Sequence, residues 1–342
     1  MKTFYILILT LTFALAGCRD QNQYYRISGY AQGGTYNVTY SSSDSSGHTI
    51  KINPEILKGI IDNALLSIDN SLSGYNKGSI LSKTNHNLSD SVDHLFEDMF
   101  RMSTEIYKET GGKFDPSAAP LFDMWGFGFK NKETITEEKI DSVLKFVGME
   151  KGRIEGGRII KSDPRFQLNF NAIAQGYSCD VVAAELEKLG ICNYLVEVGM
   201  EIYCSGKNPS GNEWNIGVDT PEDGNMEAGK NISEIISVSD VGIVTSGNYR
   251  KFFIENGQKY SHTIDPTTGK PVKHNLLSAT IIAPNASLAD AYATYCMVIG
   301  LEESKKFLES RADLKGYLIY GTENGGMDVY YTENLKSQLV KQ

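Results

Sequence analysis

The stretch YLVEVGMEIYCSG (Tyr194–Gly206) holds two short runs, YLVEV and EIYCSG, that read as strands on either side of Gly199-Met200. Further short strands follow: WNIGV (Trp214–Val218), EIISVS (Glu234–Ser239), GIVTSG (Gly242–Gly247), KYSHTI (Lys259–Ile264) and LSATIIAP (Leu277–Pro284). Among them, DTPEDGNMEAGKN (Asp219–Asn231) is polar, acidic and glycine-containing, and reads as a loop. A helix over about Ala286–Ile299, a second through Leu308 and two closing strands complete the chain.

Outward in the other direction the pattern is mostly helical. YNVTY (Tyr36–Tyr40) is a strand, and Asn53-Pro54 then opens a helix with Ile56, Ile60, Ile61, Leu65, Ile68 and Leu72 at helical spacing. A second helix is expected from about Ser91, with Val92, Leu95, Met99, Met102 and Ile106 in register, ending at Gly111-Gly112. Lys113 to Phe129 reads as a loop rich in glycine and aromatics, and TEEKIDSVLKFVG (Thr136–Gly148) as a third amphipathic helix. FQLNF (Phe166–Phe170) leads to a long helix from near Ala172. No internal repeat is visible, and strands and helices lack a regular βαβ rhythm. The fold class is therefore α+β rather than a doubly wound parallel sheet.

The 342 residues, 41% of them hydrophobic and 22% charged, suit one large domain or two subdomains. The net charge of -9 and the absence of any Lys/Arg run argue against a nucleic-acid partner, which needs clustered cations. A phosphate-bearing ligand stays compatible, because a bound divalent cation can supply the positive charge.

At the N-terminus, MKTFYILILTLTFALAGC carries one lysine and an apolar run from Phe4 to Ala16, too short for a comfortable membrane span. It reads as a signal peptide over residues 1–17, and Leu15-Ala16-Gly17-Cys18 resembles a bacterial lipobox with Cys18 as the lipidated residue. Residues 18–24 would be a short tether and 25–342 the folded domain. Cys179, Cys192, Cys204 and Cys296 show no zinc spacing; buried free thiols are expected, with pairing in an exported domain the alternative.

Four stretches could carry chemistry. In ASLADAYATYCMVIG, Asp290 and Thr294 are four apart and share a helix face. A carboxylate and a hydroxyl suit Mg²⁺, though Asp290 could equally complement the helix dipole. In GGKFDPSAAPLFDMWGFG, small residues would let backbone approach a ligand beside Trp125, Phe127 and Phe129, an apolar wall for a conjugated ring or simply a small aromatic cluster. In NFNAIAQGYSCD, Ala172, Ala174 and Gly176 open a helix whose free N–H groups could hold phosphate, or serve close packing. In YSHTIDPTTGKP, His262 could act as a general base, or be structural, and Asp265 could cap the following turn.

Together and in this order, these stretches resemble the ApbE family of FAD:protein FMN transferases. The matching motifs are FDP…PL…WGFG (Phe114–Gly128), NAIAxGY (Asn171–Tyr177), TSGNY (Thr245–Tyr249), YSHxIDPxTGxPV (Tyr260–Val272) and ADAxAT (Ala289–Thr294). SGYNKGSILSKTN (Ser73–Asn85) is similar to a further family element that includes Tyr75, Ser79 and Ser82. The resemblance spans nearly the whole chain after Tyr25. It implies a T-fold-related architecture of largely antiparallel sheets with packed helices, in two subdomains around a flavin cleft. It also implies Mg²⁺-dependent transfer of the FMN half of FAD to a Thr or Ser hydroxyl of an exported or membrane redox protein, with release of AMP. The enzyme would be a lipid-anchored protein facing the periplasm, on either membrane.

Carried over by position, the resemblance makes Asp290, Thr294 and the Ala172 carbonyl the metal ligands, and His262 the catalytic residue. FAD contacts would come from Gln32, Tyr75, Phe114, Asp115, Pro116, Asn169, Gln175, His262 and Ile264. The chain departs from common family residues at Gln32, Asn169, Gln175, Met200 and Asn248. Two other readings stand beside transfer: hydrolysis of FAD to FMN and AMP, and flavin binding without catalysis.

Overall fold

The computed structural model describes residues 23–44, 46–128, 135–222, 229–248, 252–255, 258–261 and 263–340. Cys18, the signal-like stretch and His262 lie outside the described residues. Eight strands form one antiparallel sheet: β1 (Tyr24–Ala31), β2 (Gly34–Ser41), β3 (Tyr194–Val198), β4 (Glu201–Ser205), β5 (Val241–Gly247), β6 (Leu276–Ala283), β7 (Lys315–Gly321) and β8 (Met327–Tyr331). Their order across the sheet is their order in the chain, and each pairs antiparallel with its neighbour.

Period-two alternation fixes what each face buries. Tyr36, Val38 and Tyr40 of β2 and Tyr194, Val196 and Val198 of β3 point to one side. There they join Leu57, Ile61 and Leu65 of the Pro54–Leu72 helix and Val182 and Leu186 of the Ala174–Lys188 helix in one apolar cluster. The opposite face carries Cys204, Ile243, Ile282, Tyr317 and Ile319, covered by the paired strands Trp214–Asp219 and Ile232–Val238 through Trp214, Ile216 and Val238. Long-range strand pairing thus bears out the α+β class.

Caps set the helix ends. Asn53, Asp93 and Asn285 each accept a backbone N–H with the side chain, starting the helices Pro54–Leu72, His94–Glu109 and Ala286–Ile299. The first helix is turned slightly from the expected phase: Ile56 is 61% exposed and Leu57 is buried in its place. Counting Leu57 shifts the apolar stripe to Leu57, Ile61, Leu65, Ile68 and Leu72, which keeps the helical spacing throughout. Three of the four internal cysteines are buried and all four are free thiols, but Cys192 is only half-buried.

The two halves of the sheet each place helices between two pairs of strands. Strands β1–β4 enclose the helices Pro54–Leu72 and Ala174–Lys188, and β5–β8 enclose Ala286–Ile299 and Leu301–Glu309. Each half opens its first helix with an asparagine cap, Asn53 or Asn285. The same helical positions after the cap hold Lys58 and Asp62 in one half and Asp290 and Thr294 in the other.

A smaller unit packs beside the end of the sheet. The expected loop after Lys113 contains a short helix, Ala119–Trp125, ended by Gly126 in the left-handed conformation (φ 78°). It packs with the Glu137–Leu144 helix around Ala118, Leu121, Met124, Trp125, Ile140, Val147 and Ile264. The Trp125 indole N–H donates to the Gly269 carbonyl at 2.8 Å, fastening the turn after Asp265 onto this unit.

Candidate active site

A cleft of ≈ 300 Å³ separates the sheet end from this smaller unit. One wall comes from the ends of strands and helices: Met200, Glu201, Thr245, Ser246, Gly247, Ala172, Asp290 and Thr294. The other comes from Phe114, Asp115, Pro116, Phe122, Phe127 and Ile264, with Tyr75, Asn169 and Asn171 at its side. A wider depression of ≈ 960 Å³, lined in part by Trp125, Thr136, Lys270 and His274, contains none of the residues expected to hold a cation.

Asp290 lies in the second turn of the Ala286–Ile299 helix and is 5% exposed. Its Oδ2 accepts the Gly176 backbone N–H at 3.1 Å. This corrects the expectation of a free helix terminus for phosphate: the helix starts at Ala174, and the Gly176 N–H is taken by a carboxylate 114 residues away. The close approach requires glycine, since a Cβ at Gly176 would lie 2.3 Å from the Ala286 carbonyl oxygen. Burial pushes the Asp290 carboxyl well above the ordinary carboxylate range, and the neighbouring Asp180 charge adds to this.

The same offsets from the Asn53 cap carry a different pairing. Lys58 pairs with Asp62 at 2.6 Å, and the Tyr36 hydroxyl also donates to Asp62, so that half of the fold neutralises its own charge. Among the described residues no ion pair reaches Asp290. Nor do three His, Cys, Asp or Glu side chains of the described residues form a metal-holding group. A cation beside Asp290 would meet that carboxylate, the Thr294 and Ser246 hydroxyls (3.4 Å apart) and the Ala172 backbone, with Glu201 and Asp115 elsewhere on the cleft lining. That donor set suits Mg²⁺, which retains water and phosphate oxygens in its shell.

The other expected residues divide into two groups. Tyr75, Phe114, Asp115, Pro116, Asn169 and Ile264 all line the cleft, as do Ala172 and Thr294. Asp115 turns partly inward: its Oδ1 accepts the Ser117 N–H at 2.8 Å and the Ser117 hydroxyl at 2.6 Å. Burial raises its carboxyl to about 6. Asn169 Oδ1 accepts the Asn171 N–H at 2.9 Å, and the Asn171 amide donates to the Tyr75 hydroxyl at 3.3 Å.

Gln32 and Gln175 are not among the cleft-lining residues. Gln32 donates to the Ser178 hydroxyl at 2.6 Å, because its turn folds over the Ala174–Lys188 helix. The Gln175 amide lies under Gly199, where a Cβ would come within 2.0 Å of it. Lys113, Asn171 and Ser246 also line the cleft; all three lie within the stretches singled out in the sequence, although none was given a role there. Lys113 Nζ reaches Asp265 at 2.6 Å and Thr267 at 2.7 Å, across 152 and 154 residues. Asp265 Oδ1 in turn accepts the Thr267 N–H at 2.9 Å, so it caps its own turn as its position suggested.

The ApbE family model matches residues 33–318. An FAD:protein FMN transferase from Vibrio cholerae serotype O1 is 32% identical over 98% of this chain and 99% of its own length. The flavin transferase ApbE structure from Vibrio cholerae superposes with a TM-score of 0.80 at 30% identity, covering 93% of this chain and 99% of that one. The apo form of the Pseudomonas stutzeri flavinyl transferase ApbE gives 0.82 at 28% identity, over 93% and 97%. With a matched segment that runs from the β1–β2 turn into β7, and with relatives aligned over almost their full length, this chain belongs to the ApbE family.

Proposed function

We infer that the protein transfers the FMN half of FAD to a Thr or Ser hydroxyl of an acceptor protein and releases AMP. The observation that carries this reading is the buried Asp290 carboxylate, without a cation partner among the described residues, in a cleft lined by Phe114, Phe122 and Phe127. The name of the Vibrio cholerae relative supports it. Asp290, Thr294 and the Ala172 carbonyl would hold Mg²⁺, and the aromatic wall would receive the conjugated ring. When bound, the cation would stabilise negative charge on the pyrophosphate oxygens.

In the transfer, the acceptor oxygen bonds to the FMN-side phosphorus, the bridging P–O bond breaks and AMP carries away that electron pair. His262 is two positions before Ile264, which lines the cleft, and we assign it the acceptor's proton. Lys113, already neutralised by Asp265, adds a fixed donor at the same wall.

The acceptor is an exported or membrane redox protein, and the enzyme is a periplasm-facing lipoprotein anchored through Cys18. No helix among the described residues is long and apolar enough to cross a membrane. Strand β1 begins at Tyr24, at the end of the sheet opposite Met200 and Gly247, so a tether on Cys18 would leave the cleft on the side away from its attachment.

The test is incubation of the mature protein with FAD, Mg²⁺ and a candidate acceptor. Fluorescent acceptor on a denaturing gel is the expected result. Free FMN with AMP and unlabelled acceptor would instead make the protein a hydrolase, and unchanged FAD a flavin binder.

A further inference from the structure

Gly199 and Met200 form the two-residue turn between β3 and β4, with φ of 66° and 90°. Positive φ at both central positions matches the twist of a tight hairpin and is normally supplied by glycine, asparagine or aspartate. Methionine has no short polar group to compensate, so Met200 is held in a conformation that costs free energy. The turn has little room to relax. Val198 pairs with Glu201, the Gly199 N–H donates to the Thr35 carbonyl at 3.1 Å, and the Gln175 amide presses beneath Gly199.

Core packing does not account for the residue either. Met200 is 44% exposed, whereas a side chain that fills a core is buried. It lines the cleft, which the aromatic rings of Phe114, Phe122 and Phe127 also border. Strain maintained at a ligand cleft points to use in binding. A thioether gains favourable contacts with the edge or face of an aromatic ring.

We propose that Met200 is a specificity-determining residue whose side chain covers a planar ring of the bound dinucleotide from the sheet side of the cleft. This rests on the FAD reading above. The backbone fixes where the side chain starts, and its three rotatable bonds let the thioether settle on the ring.

Three variants of the mature protein test it: Met200→Gly, Met200→Ala and Met200→Leu. Binding of FAD, FMN and AMP is followed by flavin fluorescence or calorimetry, and thermal unfolding is recorded without ligand. Met200→Gly should unfold about 2 °C higher, because glycine relieves the strain. Met200→Ala, which retains a Cβ at positive φ, should gain nothing. Both should bind FAD about tenfold more weakly through lost contact area, whereas Met200→Leu stays near the parent. Parallel loss of FMN affinity identifies the flavin ring as the covered group, and parallel loss of AMP affinity the adenine. Unchanged FAD affinity in Met200→Gly, or no gain in its stability, overturns the proposal. Failure of the parent protein to bind FAD would instead overturn the functional reading beneath it.

Discussion

Asp180 and Asp290 each cap the amino end of the helix that carries the other. From the Ala174–Lys188 helix, Asp180 accepts the Ala286 N–H at 2.8 Å and the Ser287 N–H at 2.9 Å, and the Ser287 hydroxyl also donates to it. From the Ala286–Ile299 helix, Asp290 accepts the Gly176 N–H at 3.1 Å. Two helices from different halves of the sheet are thereby locked in register at the cleft. Each carboxylate also gains from the positive end of the opposite helix. Asp180→Ala would leave two buried N–H groups and a hydroxyl without their acceptor, and should cost about 3 kcal/mol in denaturant unfolding. Asp180→Asn, which retains one acceptor oxygen, should fall between Ala and the parent.

Gly176 is the point where this clasp closes. A methyl there would meet the Ala286 carbonyl oxygen at 2.3 Å and the Asp290 Cβ at 2.9 Å, and backbone cannot swing aside as a side chain can. Gly176→Ala should therefore separate the helices, lower stability by about 2–3 kcal/mol and reduce transfer activity, despite the better helix propensity of alanine. An activity and midpoint equal to the parent would mean that the helices are not in such close contact.

Asp290 should show opposite effects on stability and activity. Without a cation, its ionised carboxylate is buried and its carboxyl is raised by that burial. Asp290→Asn removes the charge and retains an oxygen for the Gly176 N–H. The variant should be about 1–2 kcal/mol more stable than the parent at pH 8 without metal, and should lose Mg²⁺-dependent transfer. Added Mg²⁺ should raise the unfolding temperature of the parent and leave that of the variant unchanged. A variant that retains full Mg²⁺-dependent activity would remove Asp290 from the metal site.

Much of this arrangement was legible locally and little of it at long range. Asn53-Pro54, Thr136 and Asn285 announce helix starts because capping depends on a few neighbouring residues, and Asp290 and Thr294 share a face by helical geometry alone. The Ala119–Trp125 helix was hidden by Pro120 and by the glycines that follow, although proline is tolerated in a first turn. The pairing of Lys113 with Asp265, the capture of the Gly176 N–H by Asp290 and the pairing of β2 with β3 all join residues far apart in sequence, beyond the reach of local periodicity. The matching strand and helix order of the two halves was equally invisible, because packing constrains which positions are apolar but not which apolar residue fills them.

His262, which the family resemblance also sets against FAD, is assigned the acceptor's proton in the proposed transfer. His262→Ala should abolish covalent flavin on the acceptor while FAD affinity stays within about threefold of the parent, a pattern expected when a group acts mainly in the transition state. Gel fluorescence reads the first quantity and a flavin titration the second. Normal acceptor labelling would take His262 out of the mechanism.

Asp115 and Asp180 give the metal-free protein a predictable pH dependence. Burial raises both carboxyls to about 6 from an ordinary value of 3.8, against the opposing pull of their hydrogen bonds to Ser117 and to Ser287 and Ala286. Between those two values the folded chain binds more protons than the unfolded one. The stabilisation from these groups is therefore complete below about pH 4 and is lost as the pH rises through about 6. Each group contributes at most about 3 kcal/mol to this change, and carboxylates whose folded values are lowered, such as Asp163 with Arg165, oppose it. Comparing variants isolates the effect. The difference in unfolding free energy between Asp180→Asn and the parent should move in favour of the variant as the pH rises from 4 to 7, because asparagine has no proton to lose. A difference that is flat across that range would mean that Asp180 is ionised in the folded protein throughout, with its three donors outweighing its burial.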